Sequence, residues 1–574
     1  MLKKAQNYFF QEIDIKTWIL LFAGTIIWYL TTVKSGLVYD FGMGFWGAHG
    51  HDALWHLALI KSLARGSFEM PVFAGAHLQN YHIGYDLFVA ILHKLTFIPV
   101  RYLYFQILPP IMALLTGLFT YKFVVNWSKS KSAGFWSVFF VYFGGSWGWL
   151  FHIVRYGYLG GDSMFWAQSA ATTLVNPPFA MSLVIMLAGL LVLQGKKLGT
   201  GKILIAGLLF GILFQIKVYA GLLVLTGLLG AGVYEFFFKR SLVYLKILGV
   251  SLLVSLLMYL AVPTTGRLVE YAPFWFLEGL MTYGDRLNWD WYSKTMFSAK
   301  ETGNMVNYLL LYSAAFVIFV IGNLGTRIVK LPLFVKWTLN YKKLAIVEVF
   351  ILTVVAAGIV VPMLFVQRGT AWNTIQFIYY SLFFSGILAG VAMPSITKSL
   401  KSVNVRLSQV FIVLVVVLTL PTTLTTLRHY FTNNPPTRLP KDEIAALEFL
   451  QYQPYGLVLS TQPFGMKYLG REEEAPMPLF LYDSTAYVAA FTDKPVYLED
   501  EVNLTIMNYP WQERRTKLDK FLKDSNSEAG YQFLRDENID YIYLVKRSGV
   551  GLDENALNID NIFDNEEVIV YKVH

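Results

Sequence analysis

Long apolar runs separated by short charged segments occupy the first three quarters of the chain. A run near 20 residues is what a helix needs to cross a hydrocarbon core of about 30 Å. The pattern therefore predicts a polytopic α-helical membrane protein with about eleven transmembrane helices. The predicted spans lie at roughly residues 17–33, 103–125, 134–152, 179–194, 203–216, 218–237, 242–262, 305–325, 344–365, 371–393 and 407–427.

The charged segments between these runs predict an orientation. If the spans alternate, the segments on one side are all basic with almost no acids: NWSKSKS, QGKKLGTGK, FKRS, 327–343 and KSLKSVNVR. Lys and Arg collect in cytoplasmic loops, so we expect this side inside, together with an N-terminus that carries Lys3, Lys4 and Lys16. That N-terminus is too polar, and the apolar run after it too long, for a cleaved signal peptide. The tail is then extracytoplasmic, in a bacterial or archaeal plasma membrane.

The apolar segment 83–98 is left out of the count of spans. It carries Asp86, His93 and Lys94, and counting it would reverse every later segment and place two basic segments outside. We therefore expect a helix lying in the outer membrane interface.

The tail differs in composition from about Pro435 onward. Its hydrophobic runs have strand length (GLVLST, IDYIYLVK, EEVIVYKV) and alternate with amphipathic helical stretches (KDEIAALEFLQ, ERRTKLDKFLKD). Strands that alternate with helices predict a small α/β domain. The predicted domains are a transmembrane domain over 1–430, whose outer loop 34–102 contains interfacial helices, and an extracytoplasmic α/β domain over 435–574.

Composition excludes several kinds of chemistry. The chain has 55% hydrophobic and 15% charged residues, against roughly 25% charged in soluble domains. It has no cysteine, which excludes disulfides, thiolate catalysis and cysteine-ligated metals. The net charge of +9 is explained by the basic cytoplasmic segments, so we expect no nucleic-acid partner.

The outer loop 34–102 carries the candidate chemistry. Asp52 opens a helical stretch, ALWHLALIKSLARG, which is expected to end at Gly66 as a C-cap. One interpretation is that Asp52 only caps this helix, a position that favours carboxylates. The other is a functional carboxylate, and Asp40 near the end of the first span would face the same outer surface.

Histidines are concentrated in the same loop, where residues 39–88 hold five of the nine in the chain: His49, His51, His56, His77 and His82. A helix would place Asp52 and His56 on one face, four residues apart. A divalent metal is one hypothesis, with His49 and His51 as ligands. The spacing fits no standard zinc pattern, so hydrogen-bonding or interfacial histidines are the alternative.

Two cations are predicted at outer turns between spans, Lys217 and Arg368. An ionisable group at membrane depth is a functional hypothesis, whereas a lysine that snorkels to the headgroups is the alternative. Together the two cations would suit a lipid phosphate, which an arginine binds through two parallel hydrogen bonds.

The outer loop resembles that of the GT-C superfamily of glycosyltransferases. The resemblance lies in His51–Asp52, in ARGSFEMP through Pro71 and in YHIGYDLF at Tyr81–Phe88. It is similar to the loop of transferases of lipid-linked sugars related to aminoarabinose and protein mannosyl transferases. Ala53 stands where a second acid is usual, and Ile83-Gly84 stand where two prolines are usual.

The resemblance implies an inverting glycosyltransferase that uses a polyprenyl-phosphate sugar as donor. In it Asp52 is the catalytic base, and Asp40 assists the base, positions the acceptor or helps to hold a metal. His82, His56 and Tyr81 position donor and acceptor, while Lys217 and Arg368 hold the donor phosphate. The expected partners are the lipid-linked sugar, membrane lipids and a glycan, lipid or protein acceptor, with a divalent metal as the one candidate cofactor.

Two other functions stay open at the level of sequence. One is a transporter or flippase for a lipid-linked saccharide, and the other is an inactive GT-C-like assembly subunit. Transporters usually place ionisable residues in mid-span, often within inverted repeats. The sequence shows no such repeat, and its candidate charges cluster at one predicted membrane face.

Overall fold

A computed structural model describes residues 13–195, 198–260, 262–462, 475–482 and 484–574. The predictions that involve Lys3, Lys4 and the Lys196–Lys197 pair lie outside these residues. In chain order the helices are α1 (Ile15–Tyr29), α2 (Asp52–Ala64), α3 (Gly84–Thr96), α4 (Val100–Ser128, with a π-helical turn at Leu103–Ile107), α5 (Lys131–Phe143), α6 (Gly148–Tyr156), α7 (Pro177–Val192), α8 (Thr200–Ile216), α9 (Val218–Lys239), α10 (Val243–Leu260), α11 (Trp275–Thr282), α12 (Asp290–Glu301), α13 (Met305–Leu324), α14 (Leu331–Leu339), α15 (Ile346–Leu364), α16 (Gln376–Val403), α17 (Val405–Tyr430), α18 (Lys441–Tyr452), α19 (Tyr487–Thr492), α20 (Glu501–Ile506), α21 (Trp511–Lys523), α22 (Glu528–Asp536) and α23 (Glu554–Leu557).

The strands are short and form three sheets in the described part of the chain. They are β1 (Val38–Tyr39), β2 (Gly42–Phe45), β3 (Val269–Tyr271), β4 (Phe365–Gln367), β5 (Thr437–Leu439), β6 (Val458–Ser460), β7 (Met477–Pro478), β8 (Tyr541–Val545), β9 (Ile559–Asp564) and β10 (Val568–Val573). Two sheets have four strands, in the orders β1-β2-β5-β7 and β6-β8-β10-β9, and the third pairs β3 with β4.

The chain divides into two compact units. Unit 1 contains the described residues within 1–31, 109–261 and 269–428, and unit 2 those within 32–108, 262–268 and 429–574. The predicted outer loop 34–102 thus belongs to the same unit as the C-terminal residues, whereas the sequence had grouped it with the membrane helices.

Unit 1 consists mainly of long apolar helices. In the described residues seven helices are long and apolar enough to cross a membrane, or eight if α5 and α6, which meet at a 45° bend, form one span. Three further apolar helices, α1, α7 and α8, are shorter. Each of the eleven predicted spans coincides with one of these segments.

Glycines allow two of these helices to pack closely. Gly207 and Gly211 lie one turn apart on α8, against Val250 and Val254 of α10. A Cβ atom added at Gly207 or Gly211 would lie 2.4 or 2.5 Å from the nearest of these valine atoms. Small residues four apart are a common way for membrane helices to approach.

The segment 327–343, which was predicted as a loop, is helical up to Leu339. Gly325–Lys330 forms a 3₁₀ turn that leads directly into α14. The side chains of Arg327 and Lys330 are buried, at 3% and 7% exposure, and the Lys330 Nζ donates to the Ser385 Oγ at 2.5 Å. The charge pattern cannot distinguish a basic loop from basic residues that a helix break turns into the interior.

Unit 2 contains the elements predicted for the tail. The strands β6, β8 and β10 and the helices α18 and α21 all fall where the sequence predicted them. β6 runs parallel to β8, and β10 runs antiparallel to both β8 and β9. The other sheet joins the two stretches of this unit, because β2 pairs with β5 through Met43 and Leu439.

Two helices of the predicted outer loop also lie in unit 2. α2 ends as predicted, with Gly66 in a left-handed conformation at φ +82°, and most of its residues are buried. α3 has 13 residues and buries Asp86, while Phe88, Ile91 and Leu95 are exposed. An amphipathic helix of this length suits a membrane interface, and its location there stays a prediction.

Candidate active site

Asp52 lies at the first position of α2, and His51 is the N-cap residue. The capping interpretation put Asp52 at the N-cap, whereas the structure has His51 there and Asp52 in the first turn. The Asp52 Oδ1 lies 2.8 Å from the His51 Nδ1. The Asp52 side chain is 52% exposed, so a substrate in solution or at a membrane surface can reach it.

His51 connects Asp52 with a second carboxylate that the sequence analysis missed. Its Nε2 lies 3.2 Å from the Oδ1 of Asp500. Asp500 is fully buried and accepts hydrogen bonds from the Ser484 Oγ at 2.8 Å and the Asn503 Nδ2 at 2.7 Å. The three residues form a chain, Asp52–His51–Asp500, in which the histidine lies between two carboxylates.

This arrangement keeps the histidine charged. Burial alone would lower the pKa of His51, but the charges and hydrogen bonds of Asp500 and Asp52 outweigh it and raise the pKa well above its ordinary value. Burial would likewise raise the pKa of Asp500, yet His51, Asn503 and Ser484 hold it below the usual range. Near neutral pH both ring nitrogens of His51 therefore donate, each to one carboxylate.

The neighbours of Asp500 explain why its position is well defined. Asp500 has φ +56° and caps α20. Glu499 accepts from the backbone N–H groups of Val488 and Ala489 at 3.1 and 3.0 Å, and Glu501 pairs with Arg515. Three consecutive acids thus have separate partners. Their run in the sequence, LEDE, was the available signal, but nothing in it pointed to His51.

The predicted positioning residues lie around α2 and α3. The His56 Nδ1 lies 2.7 Å from the Oδ1 of buried Asp86. Tyr81 stacks on His82 with ring centroids 4.6 Å apart and meets the ring of His56 at 6.2 Å. Burial, with the charge of Asp86, raises the pKa of Tyr81 well above its usual value, so Tyr81 is a neutral hydroxyl.

His49 and His51, the predicted metal ligands, have different partners. The His49 Nδ1 lies 2.7 Å from the Ser35 Oγ in a buried site, and burial lowers the pKa of His49 to about 4. Both nitrogens of His51 face carboxylates. Among the described residues, no group of three or more His, Asp or Glu side chains has the arrangement of a metal site. The metal stays a prediction.

Asp40 lies apart from this chain of contacts. It stands in the turn between β1 and β2 and is exposed. Within the described residues its carboxylate has no hydrogen bond or ion pair, and nothing links it to Asp52.

The two predicted phosphate-binding cations belong to unit 1 and differ in environment. Lys217 is buried, at 5% exposure, in the single-residue break between α8 and α9, with its Nζ 3.5 Å from the Asn176 Oδ1. Arg368 is 62% exposed, and its Nε lies 3.4 Å from Glu270. Tyr219 donates to the Gln367 Oε1 at 3.0 Å, which brings the two segments into one neighbourhood.

A small cavity in unit 1 adds a cation that the sequence analysis assigned to a loop. The cavity holds about 50 Å³ and is lined by Asn176, Thr172, Thr173, Tyr379 and Arg327. The Arg327 guanidinium has no hydrogen-bond partner among the described residues. A buried cation without a partner is costly, and a small anion would offset that cost. Asn176 connects this cavity with Lys217.

Comparisons with known proteins identify the fold. No family model and no curated protein match the sequence. The apo oligosaccharyltransferase of Archaeoglobus fulgidus matches with a TM-score of 0.50 and 12% identity over 92% of this chain and 69% of that chain. The same protein in complex with Zn and sulfate matches with a TM-score of 0.50 and 13% identity, over 92% of this chain and 68% of that chain. ArnT from Cupriavidus metallidurans, bound to undecaprenyl phosphate, matches with a TM-score of 0.39 and 12% identity, over 97% of this chain and 98% of that chain.

The chain therefore has the fold of the GT-C glycosyltransferases, as the resemblance predicted. The prediction of a polytopic α-helical membrane protein is confirmed as well. At 12–13% identity the similarity establishes the fold. The chemistry has to be argued from the residues of this chain.

Proposed function

We propose that this protein is an inverting glycosyltransferase that moves a sugar from a polyprenyl-phosphate donor to an acceptor hydroxyl. The observation that carries the proposal is the chain Asp52–His51–Asp500, which holds a half-exposed carboxylate at the start of a helix. A positioned carboxylate within reach of solvent is the group that such a reaction needs as its base. The GT-C fold supports the same chemistry as analogy.

In the proposed reaction Asp52 accepts the proton of the acceptor hydroxyl. The hydroxyl oxygen forms a bond to the anomeric carbon, while the bond from that carbon to the phosphate oxygen breaks. The phosphate leaves with the electron pair, and attack from the opposite face inverts the anomeric centre. His51 orients the Asp52 carboxylate through its Nδ1–H, and Asp500 orients His51. Asp500 is therefore a positioning residue.

The donor phosphate needs fixed cations, because negative charge builds up on it as the bond breaks. We assign this role to Lys217 of unit 1, as predicted, and extend it to Arg327. Both side chains are buried, and Asn176, whose Oδ1 lies 3.5 Å from the Lys217 Nζ, lines the same cavity as Arg327. Arg368 is exposed and paired with Glu270, so its contribution is expected to be smaller. The donor is expected at the extracytoplasmic face.

The decisive experiment measures sugar transfer from a polyprenyl-phosphate sugar by purified Asp52→Asn and wild-type protein. A general base contributes about 10²–10⁴ in rate, and we expect a loss of that size in kcat. Asp40→Asn is the matched control, since Asp40 is an exposed carboxylate of the same loop without a contact to Asp52. It should retain most of the activity.

The same assay separates the alternatives. Equal activity of Asp52→Asn and wild type would remove Asp52 as the base. Movement of the lipid-linked sugar across proteoliposomes without transfer would favour the transporter. Loss of activity in Asp40→Asn to the same degree would give Asp40 a direct role. Repeating the wild-type assay with a chelator and with added divalent cations tests the predicted metal.

A further inference from the structure

A second cavity in unit 2 lies away from Asp52, at the other end of α2. It holds about 450 Å³, which is nine times the cavity in unit 1. Four lysine and arginine side chains line it: Lys61 and Arg65 from the end of α2, Lys94 from α3 and Arg101 from the start of α4. We call it the cationic cavity.

The negative charge around these cations is limited. Asp493 and Glu448 are the two carboxylates that line the cationic cavity among the described residues. Asp493 is occupied, because its Oδ1 lies 2.9 Å from the Lys61 Nζ and Arg65 donates to its backbone carbonyl. Lys61 also lies near other positive charges. Burial lowers the pKa of Lys61, and the charges of Arg65 and Arg101 lower it further, whereas Asp493 raises it.

Two of the four cations have no acidic partner within the described chain. Lys94 makes no hydrogen bond or ion pair there. Arg101 donates to the Tyr102 hydroxyl at 3.1 Å and stacks on the same ring at 4.8 Å, and neither contact neutralises its charge. The cavity therefore presents one ammonium group and one guanidinium group that can bind an anion, and such groups match phosphate oxygens well.

The rest of the wall is apolar and points to an amphiphile rather than to a soluble anion. Leucine, isoleucine and methionine side chains from α2, α18, β2 and β5 line it, with Phe97 at the end of α3. Phe97 is 85% exposed and continues the exposed apolar side of α3. Arg101 lies in the first turn of Val100–Ser128, a candidate membrane span. Cations at the end of such a span suit lipid headgroups.

We propose that the cationic cavity binds the phosphate headgroup of an anionic membrane lipid at Lys94 and Arg101, with the lipid chains along the exposed apolar side of α3. A lipid headgroup and a free phosphate would both present phosphate oxygens to these cations. The apolar wall beside the cations favours the lipid. Lipid binding here is separate from sugar transfer, so it can be measured whether or not the protein transfers sugar.

The test measures binding to the full-length protein in a zwitterionic detergent. The probes are dioctanoyl phosphatidylglycerol, dioctanoyl phosphatidylcholine and inorganic phosphate. The binding of each probe is measured by calorimetry or native mass spectrometry. We expect the anionic lipid to bind and the double variant Lys94→Gln/Arg101→Gln to bind it much more weakly. Each cation removed should weaken binding by about tenfold, the usual size of a hydrogen bond to a charged group.

Two matched variants keep the result interpretable. Lys572→Gln removes an exposed lysine of β10, outside the cationic cavity, and should leave the affinity unchanged. Lys94→Arg/Arg101→Lys retains both charges and should retain most of the affinity. Wild-type affinity in the Lys94→Gln/Arg101→Gln protein would overturn the proposal. Equal affinity for inorganic phosphate and for the anionic lipid would overturn the assignment to a lipid.

Discussion

The carboxylates of Asp52 and Asp500 share one histidine, and this arrangement determines what each can do. A carboxylate alone at a helix start could serve as a cap, whereas Asp52 is oriented from the side by His51. Asp500 is fully buried and keeps the proton on His51. A change at Asp500 should therefore act on Asp52 only through the charge and orientation of the imidazole.

We predict that Asp500→Asn lowers kcat with little change in KM for the donor. Without the Asp500 charge, the pKa of His51 falls from its raised value toward 6.5. The protonated imidazole is then lost at lower pH, so the basic limb of the pH–rate profile should move to lower pH. Measuring kcat against pH in both proteins checks this.

A shift of the basic limb distinguishes a positioning role of Asp500 from a general loss of folding in the variant. Asp524→Asn, at an exposed residue that follows α21, is the control and should leave the profile unchanged. A fall in kcat at every pH without movement of the basic limb would contradict the role assigned to His51.

At the scale of elements, apolar run length predicted the helices well, and local chemistry explains where they start. The predicted span 179–194 begins at Pro177 in the structure, because Asn176 caps the Phe179 N–H at 3.1 Å and proline is tolerated in a first turn. The loop predicted at 327–343 was wrong because a local feature of the sequence was overlooked. Gly325, at φ +55°, breaks the helix and turns Arg327 inward, and a window average over hydropathy does not register a single glycine.

We predict that Gly211→Ala destabilises the protein. The new Cβ would lie 2.5 Å from the Cβ of Val254 on the neighbouring helix, and overpacking of this kind costs about 1–3 kcal/mol. Gly249→Ala is the matched control, because Gly249 lies on α10 with nothing within 4 Å of its added Cβ. It should be neutral or slightly stabilising, since alanine is the better helix former.

Thermal unfolding in one detergent, followed by tryptophan fluorescence, compares the two variants. Equal melting temperatures of Gly211→Ala and Gly249→Ala would mean that α8 and α10 are not in close contact.

At the scale of the molecule, the site depends on residues that are remote in sequence. His51 and Asp500 are 449 positions apart, and no periodicity or motif relates residues at that distance. The sequence could place Asp52 on a helix and predict the strands and helices of the tail. It could not show that residues 34–102 and the tail belong to one unit, because β2–β5 pairing is a tertiary contact.

The orientation of the chain in the membrane is the remaining prediction at this scale, and the absence of cysteine makes it measurable. Each introduced cysteine is the single thiol in the chain. We expect an impermeant maleimide to label Tyr158→Cys and Asp524→Cys in intact cells, and Lys129→Cys and Lys343→Cys only after permeabilisation. All four positions are exposed.

Tyr158 and Lys129 flank the bent pair α5–α6, so they test whether that pair crosses the membrane. If both become labelled from the same side, the pair is re-entrant and the number of crossings is not the predicted eleven. Labelling of Asp524→Cys only after permeabilisation would place the tail, and with it Asp500, in the cytoplasm. The donor for the proposed transfer would then have to be presented at the cytoplasmic face, because Asp52 and Asp500 are joined through His51 and face the same compartment.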